Sequence, residues 1–235
     1  MKEKSKLSKF YNDWGGLPVF GAGGLILLIV IWLIWSSRPG STTNDEAFQL
    51  NSTYQDIPTN GTELGNADSP LTIWIHEDFQ CSHCKTFSEN IVKPLIDSYV
   101  RDGQVKLVFV NTPILGGESF NAATASFCAA DQNLFWEYHN LLFLRQGQPN
   151  SGVYSLSNLE NFADELVDAG LPLDTNLFST CLNSEQEHDD LESATQLAIK
   201  NGFTGGTPYT LIGTYPIPGV VNFVDIQQII ENQLE

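Results

Sequence analysis

Residues 73–87 read Ile-Trp-Ile-His-Glu-Asp-Phe-Gln-Cys-Ser-His-Cys-Lys-Thr-Phe. A short apolar run rich in strand-forming residues leads into two cysteines, Cys81 and Cys84, and an amphipathic helical pattern follows them. This order predicts a strand that runs into a helix N-terminus, with Cys81 at the junction. The free backbone N–H groups and the positive dipole end at such a position favour a thiolate over a thiol. Cys84 lies one turn further on, so the pair is predicted to cycle between a dithiol and a disulfide.

The composition indicates a folded, strongly acidic protein. The chain has 235 residues, of which 42% are hydrophobic and 11% aromatic, and its formal net charge is −17. From Pro39 onward, six basic residues face 26 acidic ones. Such a surface repels phosphate backbones, so we do not expect nucleic-acid binding.

The N-terminal part of the chain has the pattern of a membrane anchor. Residues 17–35 carry no charge and are long enough to cross the hydrocarbon core as a helix. Four lysines precede this span, which predicts a cytoplasmic segment 1–16, a transmembrane helix 17–35 and an extracytoplasmic remainder. A cleaved signal peptide is the alternative, but its apolar region would be only about 7–15 residues long. In either case the rest of the chain is exported, where disulfides persist.

Beyond the anchor, the sequence predicts a flexible linker over residues 36–66 and a folded domain over 67–235. Strands are expected at Leu71–Ile75, Val105–Val110, Pro208–Ile212 and Tyr215–Val221. A helix with Pro94 in its interior follows the cysteines, a block of helices fills about residues 117–203, and a last helix ends the chain. This order matches an α/β thioredoxin fold with an inserted helical domain.

Several segments, in the same order and spacing, resemble the DsbA-like family of exported thiol:disulfide oxidoreductases. The resemblance extends from about Leu64 to the C-terminus and is carried by residues 64–70, 78–85, 127–132, 135–139 and 205–208. It implies that Cys81 is the nucleophile that forms a mixed disulfide with a client protein and that Cys84 resolves it. A zinc site is the competing interpretation of a Cys-x-x-Cys pair, but the four histidines are scattered and no second ligand pair is present.

The residues between the cysteines are Ser82 and His83. A protonated His83 would add positive potential beside the Cys81 thiolate and make the disulfide a stronger oxidant. The family's well-known oxidases carry Pro-His between their cysteines, and Ser82 departs from that proline.

The resemblance also assigns roles to Thr207, Pro208, Cys128 and Cys181. Pro208 would be the family's cis-proline, which holds Thr207 extended so that its backbone pairs with a client strand and which keeps metal ions from the dithiol. With Cys81 and Cys84 assigned, the other two cysteines either pair or stay free. Their match to cysteines of related proteins implies a structural disulfide inside the insert.

Two acidic residues, Glu77 and Asp78, precede the cysteines. A buried acid near Cys84 can accept its proton during resolution. The family often has a glutamate six residues before the first cysteine, and Ile75 occupies that position here, which argues against this role. Asp78 is interpreted as a local cap or turn residue.

These observations favour a membrane-tethered thiol:disulfide oxidoreductase that introduces disulfides into exported proteins. A quinone-linked membrane partner would reoxidise the pair, and neither a metal nor another cofactor is expected. A reductase or isomerase of the same fold is the close alternative. A tethered binding or chaperone-like module with purely structural cysteines is the alternative from a different class.

Overall fold

A computed structural model of the protein describes residue 54, residues 56–184 and residues 187–235. The predicted cytoplasmic segment, the predicted anchor at 17–35 and most of the predicted linker lie outside the described residues. Within the described ranges, no helix is both long enough and apolar enough to cross a membrane.

A mixed sheet forms the framework of the described part of the chain. Its strands are β1 Thr59–Asn60, β2 Glu63–Leu64, β3 Leu71–Glu77, β4 Val105–Asn111, β5 Tyr209–Ile212 and β6 Tyr215–Pro218. They lie side by side in the order β1-β2-β4-β3-β5-β6. The central strands β3 and β4 are parallel, with Ile75 opposite Phe109, and the other neighbouring strands are antiparallel. Both central strands are mostly buried, as parallel strands covered on two faces usually are.

A long helical connection joins β3 to β4. It begins as α1 (Ser82–Phe87) and continues through a π-helical turn at Ser88–Val92, α2 (Lys93–Leu95) and a second π-helical turn at Ile96–Val100. Pro94 cannot donate a backbone hydrogen bond, and the chain stays helical there by widening the turns on either side. The connection thus carries the cysteines at its start and returns the chain to the parallel strand β4.

The helical insert consists of separate helices, and a final helix follows the last strand. A turn with Asn133 in a left-handed conformation divides the first two insert helices. Gly170 and Gly202 have φ of +87° and +82° just beyond two of the helices, as helix C-termini favour. The helices are α3 Gly117–Ala130, α4 Phe135–Arg145, α5 Leu156–Asp168, α6 Thr175–Leu182, α7 Glu187–Lys200 and α8 Phe223–Leu234.

The thioredoxin fold with a helical insertion is confirmed, but the predicted linker at 36–66 extends too far. Residues 59–64 form the hairpin β1–β2 at the sheet edge, and Leu64 pairs with Leu107 of β4. Tyr54, Ile57 and Leu64 are buried in the main core. Because each of these strands has only two residues, they leave no periodic signal in the sequence.

Side chains alternate between the two faces of β3. Ile73 and Ile75 belong to the main core together with Phe87 of α1, whereas Trp74 packs in a smaller cluster with residues of α7. This alternation directs Glu77, the last residue of β3, to the same side as Ile75. A carboxyl group is therefore placed in the main core just before the cysteines.

Candidate active site

Cys81 is the N-cap residue of α1, as the strand-to-helix pattern predicts. Its backbone is extended, with φ of −79° and ψ of 118°, and Cys84 lies in the first turn of the helix. Cys81 is 9% exposed and Cys84 is completely buried, and the two sulfur atoms are not bonded to each other. Only Cys81 is thus accessible to a partner thiol.

The surroundings of Cys81 stabilise its thiolate. A hydrogen bond from the Cys84 thiol is the largest cause, and with the Thr207 side chain and the backbone N–H groups of Cys84 and His83 it lowers the Cys81 pKa to about 5. Burial opposes this shift but does not outweigh it. The backbone N–H groups of the helix N-terminus lower the Cys81 pKa as the sequence predicts, and the neighbouring Cys84 thiol lowers it more.

The pKa of Cys84 is shifted in the opposite direction. Burial raises its pKa above the ordinary thiol value, and its hydrogen bond to Cys81 and the charge of Glu77 act in the same direction. The reduced pair therefore holds one proton, which lies on Cys84. Such an asymmetric pair supplies one thiolate nucleophile, Cys81, and one resolving thiol, Cys84, that is protonated at rest.

Thr207 and Pro208 lie beside the nucleophile. The peptide bond between them is cis, and the carbonyl oxygen of Thr207 lies 3.4 Å from Cys81 Sγ. Gly205 and Gly206 precede them with φ of +103° and +94°, a conformation that side-chain-bearing residues avoid. The two predicted residues are therefore brought to the sulfur, with a backbone acceptor directed at it.

His83 is exposed on the first turn of α1. Its backbone N–H is one of the groups that lower the Cys81 pKa. The predicted effect of the imidazole charge stays a prediction.

The sequence argued against a buried acid beside the cysteines, but Glu77 has the surroundings of one. It has no exposed surface, and burial raises its pKa well above the ordinary carboxyl value, with a further increase from the charge of Cys81. When ionised, Glu77 in turn raises the pKa of Cys84. The buried acid thus stands four positions before Cys81 rather than six, and the Ile73, Ile75, Glu77 alternation is the signal that reveals it.

Asp78 does more than cap a local turn. Its Oδ1 accepts hydrogen bonds from the Gln80 backbone N–H at 2.8 Å and the Ser119 hydroxyl at 2.7 Å. Its Oδ2 accepts the backbone N–H groups of Ile114 and Leu115 at 2.8 and 2.9 Å. The carboxyl group therefore joins the loop before the cysteines to the segment that enters the helical insert.

Gln80, Asn150 and Gln146 complete this polar connection, and none of them was predicted from the sequence to be a site residue. The Gln80 amide donates to Ser119 and accepts from the Asn150 backbone N–H. Gln146 Nε2 donates to the carbonyl of Cys81 at 3.0 Å. No sequence motif marks these partners, because they are 39 to 70 positions apart.

Cys128 and Cys181 form a disulfide, with an S–S distance of 2.04 Å, that joins α3 to α6 inside the insert. The structure thus separates the four cysteines into a bonded pair in the insert and an unbonded pair at the helix N-terminus. The bonded pair takes no part in the geometry around Cys81.

Comparisons with known proteins agree with this architecture. A thioredoxin family model matches residues 59–232. The probable disulfide bond formation protein D of Bacillus anthracis is 22% identical over 214 residues, which cover 90% of this chain and 95% of that protein. The disulfide bond formation protein D of Bacillus subtilis is 35% identical over 85 residues, or 35% of this chain and 38% of that protein.

Two solved structures show the same fold. Oxidised BdbD from Bacillus subtilis has a TM-score of 0.67 and 24% identity, covering 74% of this chain and 92% of that one. DsbA from Chlamydia trachomatis has a TM-score of 0.63 and 21% identity, covering 73% of this chain and 90% of that one.

Proposed function

The chain belongs to the thioredoxin family and is a thiol:disulfide oxidoreductase, and we propose that it acts as an oxidant that introduces disulfides into exported proteins. The observation that carries the direction is the contrast between Cys81 and Cys84. The reduced form is stabilised by a low-pKa thiolate that accepts several hydrogen bonds. Stabilising the reduced form makes the disulfide form more oxidising.

The reaction begins with the Cys81–Cys84 disulfide. A client thiolate attacks Cys81 Sγ, the Cys81–Cys84 bond breaks, and the electron pair leaves on Cys84 Sγ, which then takes up a proton. A second client thiolate attacks the client sulfur of the mixed disulfide and releases Cys81 as a thiolate. The client gains a disulfide, and the protein ends with one thiolate and one thiol, which is the state that the site geometry stabilises.

Client recognition is proposed to use the backbone beside the cis-proline. The Thr207 carbonyl lies 3.4 Å from Cys81 Sγ, where an extended client segment can pair with it while its cysteine reaches the sulfur. Backbone pairing does not depend on side chains, so this mode suits clients of varied sequence.

The proposed setting is the outer side of a cell membrane. The uncharged span at 17–35 serves as a single-pass anchor with a cytoplasmic N-terminus, and the redox domain stands outside the membrane. A quinone-linked membrane partner reoxidises the pair after each client. Fractionation of the full chain and of a variant that lacks residues 17–35 tests the anchor, because only the former is expected with the membranes.

The direction of the reaction is tested by the reduction potential of the pair. Equilibration with glutathione is expected to give a value well above that of thioredoxin, which is about −270 mV. A value near or below that of thioredoxin would instead support a reductase or isomerase.

Trapping identifies the clients and tests the enzyme class itself. A Cys84→Ser variant of the full chain is expected to accumulate mixed disulfides with exported proteins, because the resolving thiol is absent. A Cys81→Ser variant is the matched control and is expected to trap none. Equal behaviour of the two variants would support a binding module with structural cysteines.

A further inference from the structure

Glu77 and His139 form a buried pair, and Glu77 is electrostatically coupled to both Cys81 and Cys84. Glu77 ends β3 and His139 lies on α4, and neither side chain has exposed surface. Glu77 Oε2 lies 3.7 Å from His139 Nε2. Among the described residues, these two atoms and Glu77 Oε1 have no hydrogen-bond partner. Buried polar groups are nearly always paired, so this arrangement calls for a chemical explanation.

The hydrogen bond made by the other ring nitrogen, Nδ1, indicates which tautomer of His139 faces Glu77. His139 Nδ1 lies 3.1 Å from Asn140 Oδ1, while Asn140 Nδ2 donates to the Tyr54 hydroxyl at 3.0 Å. With the Asn140 amide in this orientation, its oxygen can only accept, so Nδ1 carries the ring proton and Nε2 presents a lone pair to the carboxyl of Glu77. The ring is held in this orientation by aromatic neighbours at centroid distances of 4.9–5.8 Å, namely Phe79, Phe109, Phe135, Trp136 and Phe143.

The electrostatics favour an uncharged resting pair. Burial raises the pKa of Glu77 well above its ordinary value and lowers the pKa of His139 to about 4. The titratable groups coupled to Glu77 are Cys81, which raises its pKa, and Cys84, whose pKa it raises. The elements packed on His139 present aromatic rings, and its own helix adds the Asn140 amide. The shared proton therefore rests on the Glu77 carboxyl, opposite the lone pair of His139.

We propose that His139 is a positioning residue that acts through Glu77 when Cys84 loses its proton. This inference rests on the proposed function, in which Cys84 must become a thiolate each time the pair is reoxidised and the Cys81–Cys84 disulfide closes. The Cys84 thiol transfers its proton to Glu77 Oε1 while the proton on Oε2 moves to His139 Nε2. No electrons are transferred in this step, which leaves a Cys84 thiolate, a neutral Glu77 carboxyl and a His139 imidazolium.

The advantage of the relay is that the buried site stays neutral overall. A lone thiolate on fully buried Cys84 would be strongly disfavoured by desolvation, but the imidazolium balances its charge. The Cys84 thiolate then attacks Cys81 Sγ of a mixed disulfide and expels the partner thiolate. The relay also explains why neither carboxyl oxygen of Glu77 has another partner, since each oxygen serves one end of the proton path.

The reaction of the reduced full chain with Ellman's reagent, dithionitrobenzoate, separates the relay from the nucleophile. Cys81 attacks the reagent and releases one thionitrobenzoate, and Cys84 then attacks the resulting mixed disulfide and releases a second. The first phase reports Cys81, and the second reports the deprotonation of Cys84. Absence of a fast first phase in the wild type would contradict the proposed function, whereas normal phases in every variant would contradict only the relay.

We expect Glu77→Gln to slow the second phase by about 100-fold, the lower range for loss of a general base. His139→Phe, which keeps an aromatic ring among its neighbours, is expected to slow it by a similar factor. The double variant is expected to be no slower than either single variant. In all three the second phase should rise about tenfold per pH unit, because the thiolate fraction of an unassisted thiol does so, whereas the wild-type profile is flatter.

His76→Gln is the matched control. His76 is also fully buried and lies next to Glu77 in sequence, but its ring bonds to the Tyr209 carbonyl at 3.0 Å and to Asn201 at 3.2 Å. We expect it to lower stability and leave both phases unchanged. The relay is contradicted if His139→Phe keeps the wild-type second phase, if its effect multiplies with that of Glu77→Gln, or if His76→Gln slows the second phase equally.

Nitrogen NMR of the wild-type protein tests the relay without a substitution, so it applies even if the His139→Phe variant does not fold. We expect His139 to carry its proton on Nδ1 and to be neutral in the resting protein. A proton on Nε2, in the oxidised or the reduced form, would overturn the relay.

Discussion

Gln146 Nε2 lies 3.0 Å from the carbonyl oxygen of Cys81, a residue 65 positions earlier in the chain. The same amide donates to the carbonyl of Phe79 at 2.6 Å. Gln146 is the C-cap residue of α4, so the end of an insert helix holds two carbonyls of the loop that leads into α1. The helical insert therefore helps to set the position of the nucleophile as well as enlarging the domain.

Replacing Gln146 with glutamate should weaken the Cys81 thiolate. The carboxylate cannot donate to either carbonyl, and its negative charge lies near the sulfur, so the Cys81 pKa should rise above its value of about 5. Gln146→Leu removes the same bonds without adding a charge and should shift the pKa less. Thiolate absorbance followed against pH measures both effects. Gln132→Glu, whose amide donates to the Asp174 carbonyl within the insert, is the control and should leave the titration in place.

Asp78→Asn should destabilise the domain. The buried carboxyl group accepts four hydrogen bonds, and the amide nitrogen of asparagine would face one pair of these donors. Each buried donor without an acceptor costs about 1–3 kcal/mol, so we expect a loss of roughly 2–4 kcal/mol in urea unfolding. Asp174→Asn is the matched control: Asp174 is an exposed N-cap, and asparagine caps helices equally well. Equal stabilities of the two variants would show that the Asp78 network does not support the fold.

Removing the insert disulfide should lower stability without changing the redox chemistry. The bond joins residues 53 positions apart, and closure of such a loop constrains the unfolded chain by about 4 kcal/mol. A Cys128→Ala, Cys181→Ala double variant should lose a similar free energy of unfolding and keep both phases of the Ellman reaction. A changed first phase would instead couple the insert disulfide to Cys81.

The sequence predicted the order of the elements because long strands and helices leave periodic apolar patterns. The hairpin at 59–64 was missed because two-residue strands have no period. The helix Thr175–Leu182 lies inside the predicted helical block but was not given bounds of its own, although its Asp174 N-cap, followed by apolar Leu177 and Phe178, is a readable start signal. Both errors concern short elements whose stability comes from packing.

In the candidate site, too, some residues could be predicted from the sequence and others could not. The positions of Cys81 and Cys84 follow from local rules for helix termini, and Thr207 and Pro208 were reached through the family resemblance. The contacts of Gln146 with Cys81 and of His139 with Glu77 join residues more than 60 positions apart. Such pairs depend on how the insert docks on the sheet, and a single sequence contains no local pattern that specifies this docking.

The stability of the reduced protein should fall in acid because of Cys81. Its pKa is lowered from the ordinary 9.0 to about 5 on folding, so the unfolded state binds more protons between these values. The stabilisation is fully present above about pH 9 and is lost progressively as the pH falls toward 5. The disulfide form has no titrating Cys81 and lacks this dependence. Urea unfolding of both forms between about pH 4 and pH 9 should therefore show that, as the pH falls, the free energy of unfolding of the oxidised form increases relative to that of the reduced form.

Cys81→Ala provides the control for this comparison, because it removes the thiolate and keeps Cys84. Its stability should follow the pH dependence of the rest of the protein, and the difference from the reduced wild type isolates the contribution of Cys81. By linkage, the reduction potential of the pair should depend on pH with a break near 5, where the reduced form begins to bind a second proton. A potential whose slope stays unchanged through this region would show that the thiolate does not set the oxidising power of the site.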